Sequence, residues 1–153
     1  MMKVQKIMNI DPVTVNMDDT LQTVRDIFDL VNFHHLLVVH NEVLVGIVSD
    51  RDFLKAINTT LGTPLETNKD LAALNKRVHQ IMSRKVVAVK EDATIFDVVK
   101  TFNDHEVSCI PVVNEHNSPV GIVSSKDVLR LLQSNMEKRI FNEHSLKKMN
   151  NDS

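Results

Sequence analysis

"GIVSDRDFLKAI" (Gly46–Ile57) and "GIVSSKDVLRLL" (Gly121–Leu132) write one phrase twice in a single chain. Each starts at a glycine, runs through an aliphatic pair to a serine, and places an aspartate three positions later. The flanks repeat too. "IMNIDPVTVNMDDTLQTVRDIF" from Ile7 lies over "IMSRKVVAVKEDATIFDVVKTF" from Ile81. Ile7, Met8, Val13, Val15, Asp18, Thr20, Val24 and Phe28 recur in register as Ile81, Met82, Val87, Val89, Asp92, Thr94, Val98 and Phe102. "LLVVHNEVLVGIVSDRDFL" then lies over "IPVVNEHNSPVGIVSSKDVL", with one extra residue in the second hairpin. Coincidence in register over such a length is the signature of an internal repeat.

Each copy reads the same way. A short strand (Val13–Val15; Val86–Val89) leads to an Asp/Thr turn. A helix follows, its apolar positions Leu21, Val24, Phe28 and Val31, or Ile95, Val98, Val99 and Phe102, close to the 3.6-residue period. Thr94-x-x-Asp97 resembles a capping box at its start. Two buried strands come next, Leu36–Val39 with Val43–Val48 and Ile110–Val113 with Val120–Val123. A second helix closes the copy, from Asp50 to about Asn58 and from Ser125 to about Leu132. The order is β-α-β-β-α, twice, an α/β (α+β) chain. One copy is too small to bury much core alone, which predicts a pseudo-two-fold pair, sheet edge or face against its twin.

The expected divisions are residues 1–60 for the first copy, 61–77 for a linker that opens at Gly62 and Pro64 and holds a short helix, 78–135 for the second copy, and 136–153 for a C-terminal tail. The tail starts with helical character, and its last ten residues are expected to fray.

Composition narrows the function. Of 153 residues, 42% are hydrophobic and 25% charged, values of an ordinary soluble globular chain. Net charge is −2, with no Trp, no Tyr and six Phe. Nucleic-acid binding needs clustered cations and stacking platforms, so the balance argues against it. The lone Cys109 cannot make an internal disulfide, which fits a reducing compartment. "MMKVQKIMNIDP" is no signal peptide, and no run is long and apolar enough to insert in a membrane. A cytoplasmic location follows as the expectation.

The repeated phrase has a structural reading and a functional one. A strand ends, Ser49 or Ser124 caps the next helix, and Asp52 or Asp127 at its third position meets the positive end of the helix dipole. Gly46 and Gly121 allow close backbone approach or a bulge. The same geometry offers free N–H groups and a hydroxyl to a phosphate, a carboxylate to vicinal ribose hydroxyls, and charge from Arg51 or Lys126. The two readings are compatible, because a capped helix end is what a phosphate site is built from.

The motifs "GIVSDRD" and "GIVSSKD", the lead-ins "PVTVNMDDTL" and "VVAVKEDATI", and "SCIPVV" together resemble the CBS-domain family (cystathionine β-synthase domains). The likeness runs from about Lys3 to Gln133, as a tandem pair often called a Bateman module. The resemblance implies regulation rather than catalysis, with no cofactor required. It implies an adenosine-containing regulatory ligand (AMP, ADP, ATP or S-adenosylmethionine) in clefts between the copies, a homodimer, and a signal to a regulated partner protein. By the family's pattern Ser49 and Ser124 hold phosphate, while Asp52 and Asp127 hold ribose. Because the clefts cross the pair, Ser124 and Asp127 are expected to meet Met8 to Pro12, His34 and His35. Ser49 and Asp52 are expected to meet Met82 to Val87, Ser108 and Cys109. "FHHLLVV" departs from the family's preference for a proline before the paired valines and small residues ahead of it. His34 and His35 either crowd an adenine pocket or stack on the base and add charge near phosphate.

Rival readings carry less. Adjacent His34 and His35 on a strand point to opposite faces and cannot share an ion, and no Cys pair or His-x-x-x-His accompanies them. Cys109 has no sequence-evident base, so it reads as a small core residue rather than a nucleophile. A nucleotide hydrolase would lack a P-loop. The alternative that keeps the same fold is a ligand-free dimerisation scaffold.

Overall fold

The computed structural model describes residues 1–57 and 63–152. Seven strands and five α-helices appear in it, in two sheets. In the first copy β2 (Thr14–Asn16), α1 (Leu21–Leu30), β3 (His35–His40), β4 (Val43–Ser49) and α2 (Asp50–Ala56) follow the expected order. In the second, β5 (Val89–Lys90), α4 (Ile95–Asp104), β6 (Cys109–Val113), β7 (Pro119–Ser124) and α5 (Ser125–Asn151) repeat it. Between them lies α3 (Asn68–Ala73). The expected end of α2 near Asn58 and the linker's opening at Gly62 lie outside the described residues.

Both copies pair alike: β2 runs parallel to β3 and β3 antiparallel to β4, as β5 does to β6 and β6 to β7. Each hairpin slips register beside its glycine, between Val38 and Val39 opposite Gly46, and between Val112 and Val113 opposite Gly121. The β3–β4 turn is a two-residue one, with Asn41 at φ 49 and Glu42 at φ 68, the left-handed conformation that suits the twist of a tight hairpin.

The copies exchange their leading segments. Strand β1 (Asn9–Ile10) pairs antiparallel with β7 of the second copy, Asn9 opposite Ile122 and Ile10 opposite Gly121. In mirror fashion Ser83 bridges Ile47 of the first copy's β4. Upstream, the Val4 N–H donates to the Ala93 carbonyl at 2.8 Å and the Val78 N–H to the Asp19 carbonyl at 2.8 Å. Glycine permits the approach. A Cβ on Gly121 would stand 2.6 Å from Met8 Sδ and 3.0 Å from the Asn9 carbonyl oxygen; one on Gly46 would meet Met82 Sδ and the Ser83 carbonyl at the same distances.

The core follows this exchange. Val15, Leu21, Val24, Leu36, Val38, Val48 and Phe53 bury with Leu74, Val78 and Met82. Val98, Ile110, Val112 and Val123 bury with Val4. A third cluster, Leu37 and Leu44 against Val113, joins the sheet faces of the two copies, so the pair is one body packed face to face. The Leu44 N–H also donates to the Asn117 carbonyl across it, at 2.9 Å.

Helix α5 differs from expectation. It continues unbroken through the tail to Asn151, 27 residues in all, with none of them buried. No Gly or Pro occurs after Gly121, so nothing in the chain stops the helix where its packing ends.

Candidate functional site

Strand β1 belongs to one sheet and β2 to the other, so the turn between them spans the two copies. Asp11 makes that turn at φ 57, a left-handed conformation that Asp tolerates better than most residues, and Pro12 restricts its exit. Across from the turn, β7 ends and α5 begins. Between them opens a cleft of about 560 Å³, within the range of small-molecule sites.

Its first-copy wall is Asn9 to Val13 and Asn32 to His35; its second-copy wall is Cys109, Ile122, Ser124, Lys126, Asp127 and Arg130. Pro12, His34, His35, Ser124, Lys126 and Asp127, drawn from the expected set, therefore meet in one place. Cys109, expected on the Ser49 side, lines this cleft instead. It opens β6 directly opposite Ser124, which puts its side chain beside the start of α5.

Ser124 caps α5. Its Oγ accepts the Asp127 N–H at 3.2 Å, and the Ser124 N–H donates to Asp127 Oδ2 at 2.7 Å. The Ser124 hydroxyl also donates to Oδ2, at 2.9 Å. Asp127 Oδ1 meets only Arg130 Nη1, at a long 3.4 Å, leaving that oxygen the available acceptor in the cleft. The Lys126 side chain makes no hydrogen bond or ion pair among the described residues, and the residue stands exposed at the rim.

On the opposite wall the His34 carbonyl accepts the Asp50 N–H at 2.9 Å, and His34 Nδ1 lies 3.0 Å from Asp50 Oδ2. A carboxylate only accepts, so Nδ1 carries the hydrogen. Burial lowers the pKa of His35, with Asp50 and Asp52 pulling it up and His34 pushing it down. Burial pushes the Cys109 thiol up to about 11, so it is no nucleophile at neutral pH.

Ser49 caps α2 in the same way, its Oγ accepting the Asp52 N–H at 3.1 Å and its N–H donating to Asp52 Oδ2 at 2.9 Å. Gly46 and Ile47, three and two residues ahead of Ser49 in the same strand, hold Met82 and Ser83 alongside. Arg51 is exposed, Val87 half-buried, and the exposed Ser108 accepts the Ser125 N–H on its carbonyl at 3.1 Å. None of Ser49, Arg51, Asp52, Val87 and Ser108 lines the cleft of Asp127.

Sequence reasoning missed Phe33, Asn32 and Arg130. Arg130 was findable, because it follows Asp127 by three residues on a helix and so shares its face. Phe33 carried no such signal; only the cleft shows that this half-exposed ring faces a site. Among the described residues no group of three or more His, Cys, Asp or Glu is placed to hold a metal, and no helix is long and apolar enough to cross a membrane.

Comparison with known proteins bears on this geometry. A family model described as CBS domain matches residues 4–59 and again 78–134. The L-aspartate semialdehyde sulfurtransferase of Methanocaldococcus jannaschii is 30% identical over 129 residues, which is 84% of this chain and 23% of that enzyme. The chain spans 21–36% of the length of four curated relatives from that organism. The CBS domain pair of protein MJ0100, solved with 5′-methylthioadenosine and S-adenosyl-L-methionine, is 28% identical with TM-score 0.69, covering 87% of this chain and 97% of that one. The cytosolic domain of the Mg2+ channel MgtE, solved with ATP, is 26% identical with TM-score 0.69, covering 84% of this chain and 48% of that one.

Proposed function

The chain belongs to the CBS-domain family, with two copies in tandem, and on that premise we propose a non-catalytic regulatory module. It binds an adenosine-containing ligand in the cleft between the copies and passes the occupancy to a partner protein. One observation carries the reading: the Asp11–Pro12 turn and His34–His35 of one copy face Ser124 and Asp127 of the other across a space of ligand size. In this reading Asp127 Oδ1 accepts from the ribose hydroxyls, and the Ser124 hydroxyl, turned from Asp127 Oδ2, receives the phosphate together with the backbone N–H and side chain of Lys126 at the start of α5. The adenosine ligands of the MJ0100 pair and of the MgtE domain support the ligand class.

A ligand lodged here touches both copies at once. It favours whichever arrangement of the pair closes on it, and a ligand that bound all arrangements equally would transmit nothing. The change then passes to a second copy of the chain in a homodimer and to the regulated protein, in the cytoplasm.

The test is isothermal titration of AMP, ADP, ATP and S-adenosylmethionine into the full chain, beside Asp127→Ala and the control Asp97→Ala. Asp97 closes a like capping box on α4, with Thr94. Both variants lose a cap; only Asp127→Ala should lose the ligand. Equal loss in both would assign the effect to folding, and silence from all four ligands would move the reading to a dimerisation scaffold.

A further inference from the structure

Helix α5 outgrows the copy it belongs to. The family model stops at residue 134, yet the helix runs on to Asn151, and every residue from Leu132 to His144 is exposed. Helices in water draw most of their stability from packing an apolar face, and this one has no cover among the described residues. Leu129, Leu132, Met136 and Ile140 are 61%, 54%, 55% and 59% exposed. At about 100° per residue they fall within an arc of roughly 80°, one continuous stripe. Its first half stands on the anchored part of α5, where Val128 packs on the core, and its second half on the free part.

The charges beside the stripe say what covers it. Arg130, Gln133 and Glu137 follow one another at helical spacing down a single flank. Gln133 Nε2 donates to Glu137 Oε1 at 3.0 Å, and Glu137 has no cation partner among the described residues. Arg130 meets only Asp127 Oδ1, at 3.4 Å, with its side chain 74% exposed. In a two-fold antiparallel helix pair the same flank of both helices lies on the same side, so the patch must complement itself. Laying Arg130 level with the partner's Glu137 brings Glu137 level with the partner's Arg130 in the same step. The axis then passes beside Gln133, Leu132 and Met136 interleave across it, and Leu129 comes near the partner's Ile140. The anchored half of each stripe covers the free half of the other, and the two helix dipoles oppose. A parallel pair would set this flank against the other one, where Val128 and Leu132 offer Arg130 no counter-charge.

We propose that the stripe from Leu129 to Ile140 is a homodimer contact, two α5 helices packing antiparallel with Arg130 against the partner's Glu137 twice over. The inference rests on the homodimer of the reading above and names its surface, half of it outside the residues the family model matches.

Sedimentation equilibrium of the ligand-free full chain reads the contact directly. The wild type should be a dimer. Met136→Lys/Ile140→Lys should weaken it at least about a hundredfold, since the two-fold axis sets four lysines in one apolar seam. Both positions are exposed and lie outside every core cluster, so the fold should hold. Arg130→Glu and Glu137→Arg, each alone, should weaken the dimer at least about tenfold, because each sets like charges together twice. Mixed in equal amounts, the two single variants should recover the wild-type affinity as a heterodimer, which a misfolded variant could not do. A wild type that stays monomeric overturns the inference and leaves the stripe to a different protein. So does a dimer that the lysines leave intact, or a pair of single variants that mixing does not rescue. No ligand enters the measurement. Failure here leaves adenosine binding standing, and silence in the nucleotide titrations leaves this contact standing.

Discussion

Replacing Gly121 by alanine puts a methyl group where β7 and the leading segment of the first copy already touch. The new Cβ would lie 2.6 Å from Met8 Sδ, 3.0 Å from Met8 Cγ and 3.0 Å from the Asn9 carbonyl oxygen. Ordinary carbon contacts sit at about 3.5–4.0 Å, so the sulfur is roughly 1 Å too close. A methionine can swing aside, but the Asn9 carbonyl is backbone of β1, held in register opposite Ile122. Overpacking of this kind costs about 1–3 kcal/mol, and about 2 is expected here. In a chain of this size that lowers Tm by about 4–8 °C. Met8→Ala alone loses burial but opens the space that Gly121→Ala needs. The double variant should therefore be more stable than the two singles predict by about 1 kcal/mol, read from urea or guanidinium midpoints. Asn9 and Ile10 line the cleft, so Gly121→Ala should also weaken the ligand, while Gly46→Ala, which meets Met82 the same way, should cost stability without moving β1. Additivity within about 0.3 kcal/mol would refute the claim that glycine stands here to admit Met8 and β1.

Val4 belongs by sequence to the first copy but is fully buried in the core of the second, so Val4→Ala should cost about 2 kcal/mol. Hydrogen exchange should then rise in α4 and β6, and a rise confined to β3 and β4 would contradict the exchanged arrangement. The Cys109 thiol, raised from 9.0 to about 11, holds on the order of a hundredth of the ordinary thiolate, and alkylation at pH 8 should be slower by that factor or more. Labelling at the rate of a free thiol would mean that β6 opens at that end. Phe33→Ala, at a half-exposed ring lining the cleft, should leave the melting curve unchanged and weaken an adenine nucleotide about tenfold, the worth of one stacked base. An unchanged affinity would put the base elsewhere in the cleft.

What could be read from the sequence were properties of each copy alone. The β-α-β-β-α order, the glycine-linked bulges and the Ser-x-x-Asp caps depend on local periodicity and turn chemistry, and both copies repeat them. What could not be read is where one copy ends in space. Ile7–Met8 and Ile81–Met82 are visibly equivalent, yet nothing in either string says that Met8 docks on Gly121 and Met82 on Gly46 rather than each on its own copy. That choice is made by the Asp11 turn and by the fit of Val4 among Val98 and Ile110, both tertiary facts. The clefts across the pair were reachable only through family resemblance. The caps make the same point about the site. Thr67 with Asp70 and Thr94 with Asp97 close capping boxes like those of Ser49 with Asp52 and Ser124 with Asp127. Bonding alone cannot rank the four. Asp127 is set apart because the exchanged β1 carries the Asp11–Pro12 turn up to it and His34–His35 close the other side. On the proposed reading a ligand at Asp127 touches both copies at once, whereas Asp97 closes the cap of α4 within one.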